Sequence, residues 1–224
     1  MTLAITGASG KTGWRIADEA LQRGQAVRAI LRPGSVLPAA LQGRDQLEVV
    51  RLDLGDAPAL QQALQGCDAL VIATGARPSI DLAGPLKVDA LAIRDQLAAC
   101  KATGVSRVVL VSSLCAGRWL HPLNLFGLIL VWKRLGEQWL EASGLDWTIV
   151  RPGGLSEDDS RCESEGVLYS GPDTQESDSI PRRLVARVCL DALETAAAIG
   201  RIIEVTSSPT QPQTPLQHWL SAGT

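Results

Sequence analysis

Residues 3–13 decide the fold, and they read Leu-Ala-Ile-Thr-Gly-Ala-Ser-Gly-Lys-Thr-Gly. The apolar run Leu3-Ala4-Ile5 predicts a short buried strand, and the residues from Lys11 onward have the apolar spacing of a helix. Glycines in the turn between them permit a tight bend, close approach of the backbone to a pyrophosphate, and close packing of helix on strand. Free N–H groups at the start of the helix then attract phosphates. We therefore predict a dinucleotide-binding loop, with contacts from Gly7, Ser9, Gly10, Lys11, Thr12 and Gly13; the alternative is a glycine turn without a ligand.

The alternation of strand and helix continues along the chain. Predicted strands are Leu3–Ile5, Ala26–Leu31, Leu47–Arg51, Ala69–Ala73, Val108–Ser112, Trp147–Val150 and Ile202–Val205. Predicted helices are Lys11–Arg23, Ala57–Gln65, Lys87–Thr103, Leu125–Ser143, Arg182–Thr195 and Leu216–Leu220. Such alternation is typical of βαβ units, and 224 residues suit one unit of this kind. We predict an α/β fold, a doubly wound parallel sheet of the Rossmann type, as a single domain over residues 1–224.

One segment, residues 156–179, interrupts this rhythm. It is rich in Ser, Asp and Glu, and its one apolar run is Val167-Leu168-Tyr169. Long irregular segments in compact domains are often functional. We expect a solvated hairpin or a mobile, lid-like segment, and a plain surface excursion is the alternative.

Composition excludes several classes of protein. A net charge of −3 gives no electrostatic reason to expect nucleic acid, whose binding needs a basic face. The longest apolar stretch, Leu123–Trp132, is shorter than the roughly 20 residues of a membrane span. The five cysteines are scattered without a C-x-x-C pair, which favours packing thiols over a metal site. The chain enters its first strand at once, without a leader, so we expect a cytoplasmic protein, either a monomer or a small homo-oligomer.

The cofactor is predicted from the ends of the next strands. An acidic residue after the second strand would bind the ribose 2′-hydroxyl of NAD, but this chain has Arg32 there, with no Asp or Glu beside it. A guanidinium suits a 2′-phosphate, so we predict NADP(H); the alternative is a surface arginine that closes a strand. The remaining predicted contacts follow the third and fourth strands: Asp53, placed for the adenine amino group, with Leu54, Ala73, Thr74 and Gly75.

Together with Val111-Ser112-Ser113 and Arg151-Pro152-Gly153-Gly154, these motifs resemble the short-chain dehydrogenase/reductase superfamily over nearly the whole chain. The chain looks most similar to its atypical NAD(P)-binding branch, which includes NmrA-like proteins and the flavin reductase/biliverdin-IXβ reductase type. The resemblance implies that Ser112, Pro152 and Gly153 belong to the cofactor site, with Pro152 and Gly153 bordering the nicotinamide.

The catalytic residues of ordinary members are matched only in part. Those members use a Ser, a Tyr as proton donor, and a Lys four residues after the Tyr. Ser113 and Lys133 match, but Ile129 stands at the tyrosine position, and the only tyrosine, Tyr169, lies in the irregular segment. Lys133 is expected either to hold the nicotinamide ribose or to be merely solvated. His121 is the best alternative acid, because its ordinary pKa lies near neutrality; otherwise it is a simple loop histidine.

A missing acid disfavours alcohol and ketone chemistry, because positioned proton transfer contributes about 10²–10⁴-fold. Flavins, bilins and quinones accept hydride into a delocalised system and need less help. An apolar segment suited to a flat ligand lies near the expected substrate side, unless its side chains are simply core: Trp119, Leu120, His121, Pro122, Phe126 and Trp132. We therefore predict an NADP(H)-dependent reductase acting on a small planar conjugated substrate. The alternative is a regulator or assembly factor that binds NADP(H) without turnover.

Overall fold

The computed structural model describes residues 1–75, 83–118, 121–125 and 128–222. Its strands are β1 (Thr2–Thr6), β2 (Ala26–Leu31), β3 (Leu47–Arg51), β4 (Ala69–Ile72), β5 (Arg107–Val111), β6 (Asp146–Pro152), β7 (Gly154–Ser156), β8 (Gly166–Ser170), β9 (Ser179–Pro181) and β10 (Arg201–Ser208). Its α-helices are α1 (Gly13–Gln22), α2 (Ala57–Leu64), α3 (Ala83–Leu86), α4 (Ala92–Thr103), α5 (Ile129–Glu141), α6 (Arg182–Glu194) and α7 (Leu216–Ala222).

Eight of the described strands form one sheet in the order β3-β2-β1-β4-β5-β6-β10-β8. All neighbours are parallel except β8, which runs antiparallel to β10 at the edge. Within β1, Ile5 lies opposite Ala29 of β2 on one side and Val71 of β4 on the other. The strand order therefore reverses at β1, and this is the doubly wound sheet that the sequence predicts.

Alternate residues of the strands pack into two hydrophobic cores, one on each face of the sheet. Leu3 and Ile5 pack with α1 and α6, whereas Ala4 packs with α2, α4 and α5. Strands buried on both faces read as continuous apolar runs, which is why the sequence reveals them so clearly. The predicted bounds of β2 and β3 are confirmed, and those of the other parallel strands differ by at most three residues at an end.

Two predicted helices are divided in the structure. Lys87–Thr103 begins as a π-helical turn over Lys87–Leu91, which continues into α4. The helix predicted over Leu125–Ser143 is also wrong at its start. Helix α5 begins at Ile129, and Pro122–Leu125 is a separate 3₁₀ turn. Leu128 has a left-handed backbone with φ of 56°, so the helix cannot extend through it toward the amino terminus.

The segment 156–179 is more ordered than the sequence indicates. It contains β8, whose Tyr169 is buried and stacks on Trp219 of α7 with ring centroids 5.7 Å apart. It also contains a 3₁₀ turn, Asp159–Glu163, whose Cys162 joins the main core. The expectation of an irregular segment is therefore corrected: a five-residue edge strand with only two buried residues, Gly166 and Tyr169, was hidden among polar neighbours. Movement of the segment as a lid stays a prediction.

The five cysteines are free and buried, as expected of packing thiols. Burial raises the pKa of the Cys100 thiol to about 12. In the described ranges, each helix is too short or too polar to cross a bilayer.

Candidate cofactor site

A cavity of about 660 Å³ opens at the carboxyl ends of the strands, beside the point where the strand order reverses. Open α/β sheets bind ligands in this crevice, because the connections on either side of it leave toward opposite faces. The cavity brings together nine of the predicted cofactor residues: Gly7, Ser9, Gly10, Arg32, Asp53, Leu54, Ala73, Thr74 and Gly75. Residues separated by almost 70 positions in the sequence therefore share one wall.

The glycine loop is shaped by close backbone contacts. Gly7 has φ of +75°, and a Cβ on it would stand 2.6 Å from the carbonyl oxygen of Ala73. A Cβ on Gly13 would stand 2.2 Å from the carbonyl oxygen of Gly7. Gly10 closes the turn by donating its N–H to that same oxygen at 2.8 Å. Larger residues at 7 or 13 would push β1, β4 and α1 apart.

Lys11 and Thr12 do not line the cavity but contact the residue after β7 and the first residue of α6. Lys11 forms an ion pair with Glu157, which lowers the pKa of that carboxyl through a hydrogen bond. The hydroxyl of Thr12 accepts a hydrogen bond from Arg182 Nη1 at 2.9 Å. Segment 156–179 and the start of α6 thus hold the loop from outside.

Arg32 lies at the rim, exposed, directly after β2. Arg51 lies opposite Leu31 in the neighbouring strand, and its Nη2 donates to the backbone oxygen of Ser35 at 3.5 Å. Two guanidinium groups therefore stand at the same edge of the sheet. Asp53 accepts a hydrogen bond from the Gly55 N–H at 2.9 Å, which fixes the turn after β3, and both residues line the cavity.

Two hydroxyls at adjacent strand ends have buried oxygens without a hydrogen-bond partner in the described structure. They belong to Thr74, after β4, and Ser112, after β5. Buried polar groups are normally paired, so such orphans call for an explanation. Thr74 lines the cavity, so a ligand there with hydroxyl or amide groups would satisfy its oxygen, and a nicotinamide dinucleotide has both. The glycine cradle and the orphan oxygen of Thr74 therefore fit the cofactor that the sequence predicts.

The second half of the predicted site lies beyond the lining of this cavity. It comprises Ser112, Ser113, His121, Lys133, Pro152 and Gly153. Close backbone packing alone explains a glycine at position 153, since a Cβ there would stand 2.4 Å from the carbonyl oxygen of Asp178. Lys133 lies close to the cavity: its Nζ is 3.8 Å from the position of a Cβ on Gly75, a lining residue, and 2.9 Å from Asp89 Oδ1.

Ile129 is buried against Leu114, Cys115 and Leu130, one helical turn before Lys133 on the same face of α5. A hydrocarbon side chain thus occupies the position of the usual proton donor. Tyr169 does not replace it, because it is buried in β8 against α7 and burial raises the pKa of its phenol further.

The apolar segment near the expected substrate side is described only in part. His121 and Trp132 are half-buried and Pro122 is exposed, while Trp119, Leu120 and Phe126 lie outside the described residues. The flat-ligand pocket predicted there stays a prediction.

Sequence reasoning missed one wall of the cavity. This wall is formed by the π-helical turn and the start of α4, with Lys87, Val88, Leu91, Ala92 and Asp95, and Gly55 adds to the opposite side. Positions 88, 91, 92 and 95 are spaced by three and four residues, so they form one stripe of a helix. That stripe follows β4, directly after the reversal point, and this position could have identified it.

Comparison with known proteins agrees with this geometry. Residues 7–196 match the family model described as NAD(P)H-binding. The fold is that of an atypical short-chain dehydrogenase/reductase, and the chain belongs to this NAD(P)H-binding family.

Among relatives, the uncharacterized chloroplastic protein At2g34460 of Arabidopsis thaliana is 36% identical, over 93% of this chain and 78% of that protein. Sanguinarine reductase of Eschscholzia californica is 29% identical, over 93% of this chain and 90% of that protein.

Among solved structures, a putative NAD-dependent epimerase/dehydratase from Bacillus halodurans superposes with a TM-score of 0.84 and 27% identity, covering 99% of both chains. The anaerobillin reductase ChuY of Escherichia coli O157:H7 superposes with a TM-score of 0.73 and 26% identity, covering 95% of this chain and 100% of ChuY.

Proposed function

We propose that this protein is an NADP(H)-dependent reductase whose acceptor is a small planar conjugated molecule of the flavin, bilin or quinone type. The observation that carries this proposal is Ile129, buried one turn before Lys133, whose Nζ lies 3.8 Å from the position of a Cβ on Gly75 in the cavity lining. A site of this kind binds and orients the cofactor and the acceptor, but it supplies no phenolic proton. Acceptors that delocalise the incoming electron pair tolerate the absence of that proton donor. Two relatives named as reductases, of sanguinarine and of anaerobillin, support the same class.

The preference for NADP(H) over NAD(H) rests on charge. Arg32 and Arg51 stand at the carboxyl ends of β2 and β3, where the adenosine half of a dinucleotide lies in this fold. A 2′-phosphate there gains charge-assisted hydrogen bonds, whereas a bare 2′-hydroxyl leaves two guanidinium groups without an anion.

The chain's own residues then have separate tasks. A bound NADPH supplies the hydride. The loop around Gly10 holds the phosphates, and the Lys133 ammonium is placed to hold a ribose near Gly75. Ser113 orients the acceptor or a water molecule, and His121 supplies a proton if its loop reaches the acceptor. In the absence of a fixed acid, proximity and orientation account for most of the rate enhancement.

The test is an acceptor screen with the purified chain, using NADPH oxidation in the presence of FMN, biliverdin or a soluble quinone. We expect steady, NADPH-preferring turnover with at least one class, and none with Gly10→Val. Tight NADPH binding without turnover in all three would overturn the enzyme assignment. That outcome would favour the alternative, a non-catalytic NADP(H)-binding regulator or assembly factor, which the hydrocarbon at position 129 also suits.

A cytoplasmic location belongs to the proposal too. Detection of the native protein by cell fractionation and immunoblotting tests it, and recovery from an organelle or from the membrane fraction would contradict it.

A further inference from the structure

A second cavity, of about 370 Å³, lies at the end of the sheet opposite the candidate cofactor site. It opens where β6 and β10 begin and where the antiparallel β8 ends, whereas the cofactor cavity lies at the carboxyl ends of the parallel strands. Its volume is within the range of about 300–1,000 Å³ that is typical of small-molecule sites. The residues that line it include Trp147, Pro172, Arg201, Ile202, Trp219 and Leu220.

Two tryptophans form the aromatic part of this lining. Trp147 of β6 packs against the core on the α5 face of the sheet, and Trp219 of α7 packs against the core on the α6 face. Trp219 stacks on the buried ring of Tyr169, and the carbonyl of Trp147 accepts the Gly200 N–H at 2.7 Å. Both residues are therefore held in place by the fold, which lowers the cost of ordering them around a ligand.

A guanidinium without a partner belongs to the same cavity. Arg201 is exposed, and its side chain forms neither a hydrogen bond nor an ion pair with any described residue. Among the arginines in the described ranges, only Arg32 shares this property, and Arg32 lines the cofactor cavity. A free guanidinium beside apolar walls favours an anion, because charge-assisted hydrogen bonds strengthen where water is partly excluded.

The glycine at position 171 leaves space at this cavity. Gly171 is a lining residue, and a Cβ on it would meet no atom within 4 Å. Its φ is outside the left-handed region, so neither backbone strain nor close packing requires a glycine there. Gly7, Gly13 and Gly153 differ, because close backbone contacts leave no room for a Cβ at those positions.

We propose that the second cavity is a ligand site for a small planar aromatic carboxylate. The ring of this ligand packs against Trp147 and Trp219, and its carboxylate pairs with the Arg201 guanidinium. A neutral aromatic molecule leaves the cation without an anion, and a simple inorganic anion leaves the apolar walls in water. The inference goes beyond the proposed function and does not depend on it, because these residues lie outside the cofactor site.

The experiment measures the affinities of two probes by isothermal titration calorimetry. Cinnamate is a planar aromatic carboxylate, and cinnamamide has nearly the same shape without the charge. We expect the native chain to bind cinnamate roughly tenfold more tightly than cinnamamide, the scale of one charged hydrogen bond. Absence of cinnamate binding at about 1 mM ligand would overturn the proposal.

Arg201→Gln separates the contribution of charge from that of shape. Because Arg201 is exposed and unpaired, its replacement should leave the fold intact. We expect the affinity for cinnamate to fall roughly tenfold, to the level of cinnamamide, and the affinity for cinnamamide to stay within about twofold. Arg201→Lys should recover part of the loss, because it retains a cation. Unchanged cinnamate binding in Arg201→Gln would overturn the proposal.

Trp147→Leu tests the aromatic wall, and Trp139→Leu is its matched control. Trp139 is also half-buried against the core on the α5 face, but it does not line the cavity. We expect Trp147→Leu to weaken both probes about fivefold, the scale of one aromatic contact, and Trp139→Leu to weaken neither. Equal losses in the two variants would show an effect of the fold and would contradict the site.

Arg32→Gln distinguishes the two cavities, because it removes the other unpaired guanidinium. It should weaken NADPH and leave cinnamate unchanged, whereas Arg201→Gln should do the reverse. Loss of cinnamate binding in Arg32→Gln would place this ligand in the cofactor cavity and overturn the proposal. Analytical ultracentrifugation of the native chain and Arg201→Gln completes the test. A dimer that Arg201→Gln dissociates, without cinnamate binding, would make the cavity an interface between two copies and would also overturn it.

Discussion

The carbonyl oxygen of Ala73 lies 2.6 Å from the position that a Cβ on Gly7 would occupy, so β1 and β4 end against each other with no room for a side chain. Gly13 is equally confined, by the carbonyl of Gly7. Gly10 differs, because its nearest such neighbour, the same carbonyl oxygen, is 3.1 Å away and its φ is not in the left-handed region. Two glycines of the loop are therefore required for folding, and the third leaves space for a ligand.

This difference predicts that Gly10→Val keeps the fold and loses the nucleotide. The valine methyl groups would fill the space that a pyrophosphate needs, so we expect NADPH affinity to fall by at least about a hundredfold, equivalent to about 2.8 kcal/mol. Fluorescence titration measures the affinity, and circular dichroism checks the fold. Gly171→Val is the control, since a Cβ there meets no atom within 4 Å. Unchanged binding in Gly10→Val would remove the phosphate-binding role of the loop.

Arg32→Asp should weaken NADPH far more than NADH, because it replaces a partner of the 2′-phosphate with a like charge. Removal of one desolvated charged contact commonly costs about 2–3 kcal/mol, so a discrimination change of roughly 30- to 150-fold is expected. Arg51→Ala should act in the same direction and more weakly. Arg201→Asp makes the same charge change at the start of β10, five strands away from β2, and should affect neither ligand. Equal losses of NADPH and NADH in Arg32→Asp would contradict the assignment.

Ser113→Ala and His121→Ala should lower turnover more than cofactor affinity. Ser113 lies two residues after β5, half-buried, where a hydroxyl can orient an acceptor or a water molecule. We expect kcat to fall about tenfold for Ser113→Ala with the dissociation constant of NADPH unchanged, the scale of one hydrogen bond. Full activity in both variants would leave solvent as the proton source.

Arg151→Met should strongly destabilise the fold. Arg151 is 1% exposed and bonds to the buried carboxylate of Glu137 at 2.7 Å, with Glu204 at 3.5 Å. Removal of the cation leaves Glu137 with the partly exposed Arg134 at 3.1 Å and Glu204 with backbone N–H donors. Loss of one partner from a buried ion pair costs about 3–5 kcal/mol. Urea unfolding measures this, with the exposed Arg94→Met as control. A loss below about 1 kcal/mol would show that water or protonation compensates the two acids.

We expect the free energy of unfolding to decrease in acid, partly because Glu165 becomes protonated. Arg161 forms a two-pronged hydrogen bond with this carboxylate and lowers its pKa below the ordinary 4.5, although burial opposes the shift, and Ser207 lowers it further. A lowered pKa means that the stabilisation is fully present above pH 4.5 and is lost as pH falls through the folded-state pKa. Glu165→Gln should therefore be less stable than the native chain at neutral pH, and the difference should shrink below pH 4.5. A constant difference across this range would exclude the charge as its source.

The apolar pattern of the sequence was sufficient to predict the parallel strands, but it did not reveal the antiparallel strand β8 at the edge of the sheet. Ile30, Leu31 and Val71 belong to apolar runs buried on both faces, and such runs are recognised without knowledge of their neighbours. Strand β8 was missed because an edge strand is half solvated and its Gly166 and Ser170 look like loop residues. Its pairing with β10 depends on a chain segment more than 30 residues away.

The residues of the candidate site also fall into two groups, those that the sequence predicts and those that only the structure reveals. Gly7, Gly10, Gly13 and Arg32 were predicted from spacing next to strand ends, because a strand-to-helix turn has few backbone solutions. Asp89 was not, because an acidic residue in an apparently amphipathic helix looks like one of its solvated positions. Its burial results from the π-turn and from the approach of Gly136, and neither is encoded in local spacing.

The sequence by itself determined the doubly wound sheet and the glycine loop with its cationic neighbour at residue 32, because local periodicity and backbone sterics are sufficient for these. Only the tertiary structure decided that Lys133 is paired with Asp89, that Ile129 is buried one turn away, and that the hydroxyls of Thr74 and Ser112 are buried after neighbouring strands. These relationships join elements distant in the chain. Their geometry is set by helix packing against the sheet, which no window of the sequence contains.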